Sequence, residues 1–337
     1  QRAGYMDVND KSLQEYYADK DGIPHMPEKE GLKIPEMPDA AINGNFKALW
    51  IMGEATRLTD PNTLHIRKAM EQLDIMIVQE LFMSATAEMA DVVLPACSYF
   101  EKNGTFTNGE RRVQRVNQVI EPIGNCKSDG QMIIDMMYKL GYDQPTGRTY
   151  DAEKILDEIA DVIPFMKGIS WERLGQNGLQ WPVLEDGTDT KILHRDGNFK
   201  KGKGVFHHFD FEETPELVEH RKKYPYILTT ARQLEHYNAG TMTRRTDNQE
   251  ISPMDYLEIN PLDAAEKEIG ANDTVRIFSD RGSVNIPVKL TYLVKPGVVR
   301  TTFHQPEVFI NMITGNVGDE YTLTPEYKVV AVDFEKI

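Results

Sequence analysis

The chain has 337 residues, of which 40% are hydrophobic, and a formal net charge of −15, enough to build one large or two ordinary cores, with two domains expected. So much negative charge sets the surface as a whole against nucleic acid, because like charge repels phosphate at range, and any phosphate site must be local. No apolar run approaches the roughly 18 residues that span a bilayer, and the first residues show no charged-then-apolar leader, so a cytoplasmic protein with no nucleic-acid partner and no direct membrane span is expected.

Cys97 and Cys126 are the only cysteines. They are too few for a disulfide framework or an iron–sulfur cluster and form no CxxC pair, so two ordinary thiols in a reducing compartment are expected. The opening "QRAGYMDVND" has no initiator methionine and no pattern that starts a fold, and reads as an interior or processed stretch. Residues 1–44, rich in Pro, Lys and Glu, read as an extended connector.

From 45 onward the pattern changes. "FKALWIMGE" is a short apolar run ended by Gly53. Asp60 and Pro61 suit the cap and first position of a helix that carries Ile66, Met70 and Leu73 on one face. "DIMIVQE" is a second buried strand, "SATAEMA" a short helix opened by Ser84, and "DVVLPA" a third strand stopped by Pro95. Buried strands alternating with helices predict a parallel, Rossmann-like α/β sheet over 45–165. In such sheets the loops after the strand carboxyl ends form the ligand crevice, so Gly53, Glu54, Gln79, Glu80 and the segment after Pro95 are expected to lie near one another. No GxGxxG follows any strand, which speaks against a conventional NAD site. Ser128 and Gln131 form a capping box for a helix presenting Met132, Ile133, Met136, Met137 and Leu140 and stopping near Gly141. Another helix, around Ile155, Leu156, Ile159 and Ile163, ends before Pro164.

Residues 166–222 read as a linker region with a strand at 205–211, and its "GKG" lacks P-loop spacing. From 223 to 337 short β-signals recur with a single helix, "LDAAEKEIG", closed by Gly270; this predicts a small barrel. Within it, "EHYNAGTMTRRT" (235–246) gathers a histidine, a tyrosine, neutral donors and two arginines in an otherwise acidic chain. A pyrophosphate wants a guanidinium and neutral donors, and Arg232 with His236 supplies both. The alternative is a polar turn held by a structurally bonded His236.

Taken together, "LWIMGE", "IVQELFMSATAEMADVVLPA", "EKNGTFTNGERRVQR", "EHYNAGTMTRRT", "EINPLDA" and "TPEYKVVAV" resemble the carboxyl-terminal half of the catalytic subunit of molybdenum- or tungsten-dependent formate dehydrogenases. The resemblance implies a double-psi β-barrel and a bis-(molybdopterin guanine dinucleotide) complex of Mo or W. It also implies a 4Fe–4S cluster and the metal's thiolate or selenolate ligand in an amino-terminal half, with electron-transfer subunits as partners and formate and carbon dioxide as substrates. It makes Thr230, Arg232, Gln233, His236, Tyr237 and Asn238 contacts of one pterin dinucleotide. Gly53, Glu54, Thr59, Gln79 and Glu80 join them from the α/β part, and Phe303, Asn311 and Lys328 from the barrel. Lys102 is then a phosphate partner and Asp129 a guanine reader, since a carboxylate matches two adjacent donors of the guanine edge. The resemblance assigns no catalytic residue and no metal ligand to this chain. Ala55, Thr56 and Asn238 depart from the residues that relatives often carry, and Arg111, Arg112, Arg244 and Arg245 stay divided between a cofactor channel and pairing with acidic neighbours. Another bis-pterin oxidoreductase, such as a nitrate reductase, and a non-catalytic scaffold relative, as in respiratory complex I, are the rival readings.

Overall fold

The computed structural model describes residues 3–21, 27, 29–142, 147–199 and 201–337. They fall into two compact units, each built from two stretches of chain: 1–31 with 95–208, and 32–94 with 209–337. The linear boundaries at 44, 165 and 222 do not coincide with these units. Twelve strands are described: β1 Ala48–Met52, β2 Ile75–Glu80, β3 Val92–Pro95, β4 Gly104–Thr107, β5 Arg112–Val116, β6 Leu179–Gln180, β7 Tyr226–Thr230, β8 Leu257–Ile259, β9 Thr274–Phe278, β10 Ser283–Leu290, β11 Val298–Thr301 and β12 Val330–Lys336.

In the unit formed by 32–94 and 209–337, β1, β2 and β3 lie in that order, and β1 pairs in parallel with β2 from Ala48↔Ile75 to Met52↔Gln79. The helix Thr63–Met70 packs on them, with Ile51, Ile66, Met70, Met76 and Val78 in one core cluster. Its cap differs from expectation. Asn62, in the left-handed region at φ 51°, accepts from the His65 amide at 3.4 Å, because a separate turn of helix, Thr56–Thr59, fills the space before it and leaves Asp60 extended. Ser84 caps a short helical turn as expected, its hydroxyl accepting from the Ala87 amide at 3.2 Å.

The same unit holds a closed barrel, ordered β10-β8-β11-β7-β12-β9. β10 with β8 and β11 with β7 run parallel, while the remaining pairs run antiparallel, the mixed pairing of an α/β fold with a double-psi barrel. Alternation builds its core. In β9, Val275 and Ile277 point inward, and in β10 Val284, Ile286 and Val288 do so, meeting Leu228, Leu257, Val330 and Phe334. Burying such β-branched side chains contributes roughly 1.5–3 kcal/mol each.

The other unit holds the helices Asp129–Lys139 and Ala152–Val162 and a small antiparallel sheet, β4-β5-β6, around Val113, Leu156, Ile169, Leu174 and Val183. Ser128 accepts from the Gln131 amide at 3.2 Å, as expected of the cap, but the Gln131 amide group turns to Asp135 and Arg148 instead of closing the box. The connector expectation needs correcting. Lys11–Asp21 is an α-helix and Met37–Ile42 another; few apolar side chains mark the first, Tyr17 being its buried one. The strand expected at 205–211 is absent among the described residues, and Phe206, Phe209 and Phe211 are exposed there, with no neighbouring strand to pair with.

Candidate cofactor-binding site

The loops after β1 and β2 meet as the parallel register requires: the Gly53 amide donates to the Gln79 carbonyl at 2.9 Å. Gly53 has φ +63° and nothing within 4 Å of where a Cβ would sit, so its backbone faces open space. Glu54 beside it is exposed, and Glu80 accepts from the Leu81 amide at 2.7 Å. Gln79 is buried.

Barrel residues close on the same region. Asn311, itself buried, donates to the carbonyls of Leu58 and Thr59 at 2.8 and 3.1 Å, clamping the Thr56–Thr59 turn onto the barrel. Asn311 therefore uses its donors on protein, and Thr59 presents its hydroxyl to Ala55 at 3.2 Å. A cavity of about 240 Å³ lies between the two sets of loops. Ala55, Arg57 and Ser84 line it from the α/β side and Arg244, Arg245 and Phe309 from the barrel. Arg57 stacks over Phe309 at 5.3 Å and Arg245 over Phe82 at 4.3 Å. The Arg244 Nε is buried without a hydrogen-bond partner among the described residues, and burial lowers its pKa. Three guanidinium groups line one crevice in a chain of net charge −15, with Glu88, 3.9 Å from Arg57, the one carboxylate among its lining residues, so the local charge is positive.

Arg232 and its neighbours extend this site. Its guanidinium donates to the Asn238 side-chain oxygen and lies 5.6 Å from the centre of the Phe303 ring. Asn238 sits at φ +48°, a conformation asparagine tolerates better than most, and its carbonyl faces His304 Nδ1 at 2.5 Å. A carbonyl there requires the proton on Nδ1. Nε2 is then the acceptor of a neutral ring, consistent with burial pushing the His304 pKa down. That nitrogen is buried and unpaired among the described residues. Lys328 donates to the carbonyl of Thr230, and both burial and the Arg232 charge lower its pKa. Thr230 bonds the Tyr327 carbonyl through its amide and its hydroxyl. Tyr327 in turn has its phenol pushed up by burial and by the charges of Asp60 and Glu54.

His236 is buried, with Nδ1 3.1 Å from the Thr243 hydroxyl and Nε2 2.8 Å from the Ser252 carbonyl. It holds the loop 236–252 in shape and keeps no nitrogen for a ligand, the structurally bonded alternative. Gln233 likewise bonds Ser252, while Tyr237 is 67% exposed and open to contact. Arg111 donates to the carbonyls of Trp181 and Thr190, and Arg112 pairs with Glu110 and Gln180. Those two serve the small sheet, whereas Arg244 and Arg245 face the crevice. Lys102 and Asp129 belong to the other unit and form an ion pair with each other. Lys102 also lines a cavity of about 950 Å³ there.

Sequence reasoning missed Arg57, His304 and Asp255. Asp255 is buried, accepts from the Thr302 hydroxyl and the Gln305 amide, and so fixes the chain on both sides of His304. The polar run "TTFHQ" at the end of a strand was the available signal.

An unpartnered Arg244 Nε beside the stacked Arg57 and Arg245 fits a ligand that carries phosphates. The comparisons agree. Residues 6–138 match the family described as Molybdopterin oxidoreductase, and residues 226–331 the one described as Molydopterin dinucleotide binding domain, matches that together take in most of the chain. Both stretches are thus similar to domains of the molybdopterin oxidoreductases. The chain's cofactor class is accordingly a molybdopterin guanine dinucleotide. The "F420-dependent formate dehydrogenase subunit alpha" of Methanocaldococcus jannaschii is 41% identical over 99% of this chain and 49% of its own length. The "F420-dependent formate dehydrogenase 2 subunit alpha" of Methanococcus maripaludis is 40% identical over 91% of this chain and 45% of its own length. The chain thus spans about half the length of the curated relatives it matches. The acetylene hydratase from Pelobacter acetylenicus superposes with a TM-score of 0.68 at 16% identity, over 96% of this chain and 50% of that one, a likeness of fold. No described helix is long and apolar enough to cross a membrane.

Proposed function

We propose that this chain is the cofactor-holding half of a formate dehydrogenase that interconverts formate and carbon dioxide. The observation that carries the substrate is the identity of about 40%, along nearly the whole chain, to alpha subunits named for formate. When bound, the bis-(molybdopterin guanine dinucleotide) complex of Mo or W supplies the two-electron redox chemistry. The residues here bind and orient it. Arg232, Arg244 and Arg57 offer charge to its phosphates, and Gly53, Glu54, Gln79 and Glu80 border it at the strand ends. Tyr237, Asn238, Phe303 and Lys328 line the barrel side. His236, Gln233, Thr230, Asn311 and Thr59 hold these groups in place. Lys102 as a phosphate partner and Asp129 as a guanine reader rest on the family resemblance, and in the structure the two pair with each other.

The metal's protein ligand, a 4Fe–4S cluster and the substrate-side acid or base are assigned to an amino-terminal half, with iron–sulfur or other electron-transfer subunits as partners and a cytoplasmic location. A second reading, another bis-pterin oxidoreductase such as a nitrate reductase, rests on the shared fold. Retention of an arginine-rich crevice speaks against a scaffold without cofactor. The test is turnover. Complete enzyme containing this chain should reduce an artificial acceptor with formate and not reduce nitrate, and the isolated chain should do neither. Nitrate reduction without formate oxidation, or formate turnover by the isolated chain, would overturn the assignment.

A further inference from the structure

We propose that Cys97, Cys126 and Glu101 form a site for a thiophilic divalent cation of the zinc class, separate from the molybdopterin crevice. The backbone sets it up. Ala96 pairs in parallel with Lys127 just beyond β3; the Cys97 amide donates to the Lys127 carbonyl at 2.9 Å and the Lys127 amide to the Pro95 carbonyl at 3.1 Å. Two stretches of chain are thereby locked side by side, and they bring the Sγ atoms of Cys97 and Cys126 to 3.4 Å with both thiols free.

Glu101, at the end of the helical turn Tyr99–Glu101, folds back onto them. Its Oε2 accepts from the Ser98 amide at 2.8 Å and its Oε1 from the Ile123 amide at 2.7 Å, with Oε1 3.5 Å from Cys126 Sγ. All three ligand atoms lie within 4.8 Å of one another, the only group of three so placed among the described residues. Cys97 and Glu101 are buried and Cys126 is partly so.

Geometry favours a cation over a plain thiol pair. Zinc–sulfur bonds of about 2.3 Å at a tetrahedral angle hold two sulfurs roughly 3.8 Å apart, within a small side-chain rotation of the spacing here. A disulfide would require them to close by about 1.4 Å. The Ser98 and Ile123 amides both donate to the Glu101 carboxyl group, so the backbone holds the third ligand in place. A divalent cation would displace both thiol protons and bind the two thiolates and the carboxylate, the two protons released balancing its charge. The cavity of about 950 Å³ is lined by Cys97 and Glu101; it gives an entry path and room for water as a fourth ligand.

The experiment uses protein purified under reducing conditions and titrated with Cd²⁺ and Zn²⁺. One cation per chain is expected, with a thiolate-to-cadmium absorption band and protection of both thiols from alkylation. Cys126→Ser should weaken binding at least tenfold and remove the band while leaving molybdenum or tungsten content unchanged. Glu101→Gln should weaken it less. Failure of the reduced wild-type protein to take up a stoichiometric cation, or equal uptake by Cys126→Ser, would overturn the site. Because the readout is cadmium or zinc, it stands or falls independently of the formate reading.

Discussion

Asp60 is a carboxyl group placed where its charge is costly. Burial, reinforced by the nearby Glu54, pushes its pKa up to about 7, above the roughly 3.9 of an unfolded chain. The native state then binds more protons than the unfolded state between about pH 4 and 7. Stability from this group is greatest below that window and falls as the pH rises through it. Asp60→Asn should leave urea unfolding unchanged near pH 4 and stabilise the protein above pH 7 by up to about 4 kcal/mol. Equal effects at both pH values would show that the group titrates normally. Arg232→Ala is the matching test on the ligand side. Losing a charge-assisted bond should weaken cofactor retention by about 1.5–3 kcal/mol, seen as a lower metal and nucleotide content of purified enzyme, and full content would remove Arg232 from the site. At this scale the sequence revealed types more readily than partners. Arg232 stood out beside a histidine in an acidic chain, whereas Arg57 looked like part of a turn, and only the meeting of that turn with Phe309 makes it a crevice residue. His236 was visible too, but its role as the internal brace of its loop depends on Thr243 and Ser252.

Elements with strong periodicity were the legible ones. The barrel strands alternate buried and exposed side chains, as in β9 and β10, and period 2 with β-branched residues has one reading. The helix Lys11–Asp21 has no comparable apolar stripe, and β4, which begins at Gly104 and leaves Phe106 exposed, lacks the buried alternation that marks a strand. Both owe their form to packing that local sequence does not encode. The link between barrel and sheet was equally hidden, since Asn311 is one asparagine in an apolar run. Replacing it by alanine leaves the Leu58 and Thr59 carbonyls without their donor. A loss of about 1–3 kcal/mol is expected, with an unchanged denaturant slope. A variant as stable as the parent would mean that water replaces the clamp.

For the whole molecule, the chain order conceals which stretches work together. Residues 32–94 and 209–337 form one unit although more than a hundred residues separate them, and the crevice between the loops after β1 and β2 and the barrel rim is the product of that pairing. The fold class was nonetheless readable, because buried strands alternating with helices and then a run of short strands each dictate their architecture before any long-range contact is known. The central claim, that this crevice holds a molybdopterin guanine dinucleotide, is tested most directly by composition. Enzyme containing this chain, purified anaerobically from cells that make the cofactor and then denatured, should release two guanine nucleotides for each molybdenum or tungsten. Protein that carries neither guanine nucleotide nor either metal would contradict it.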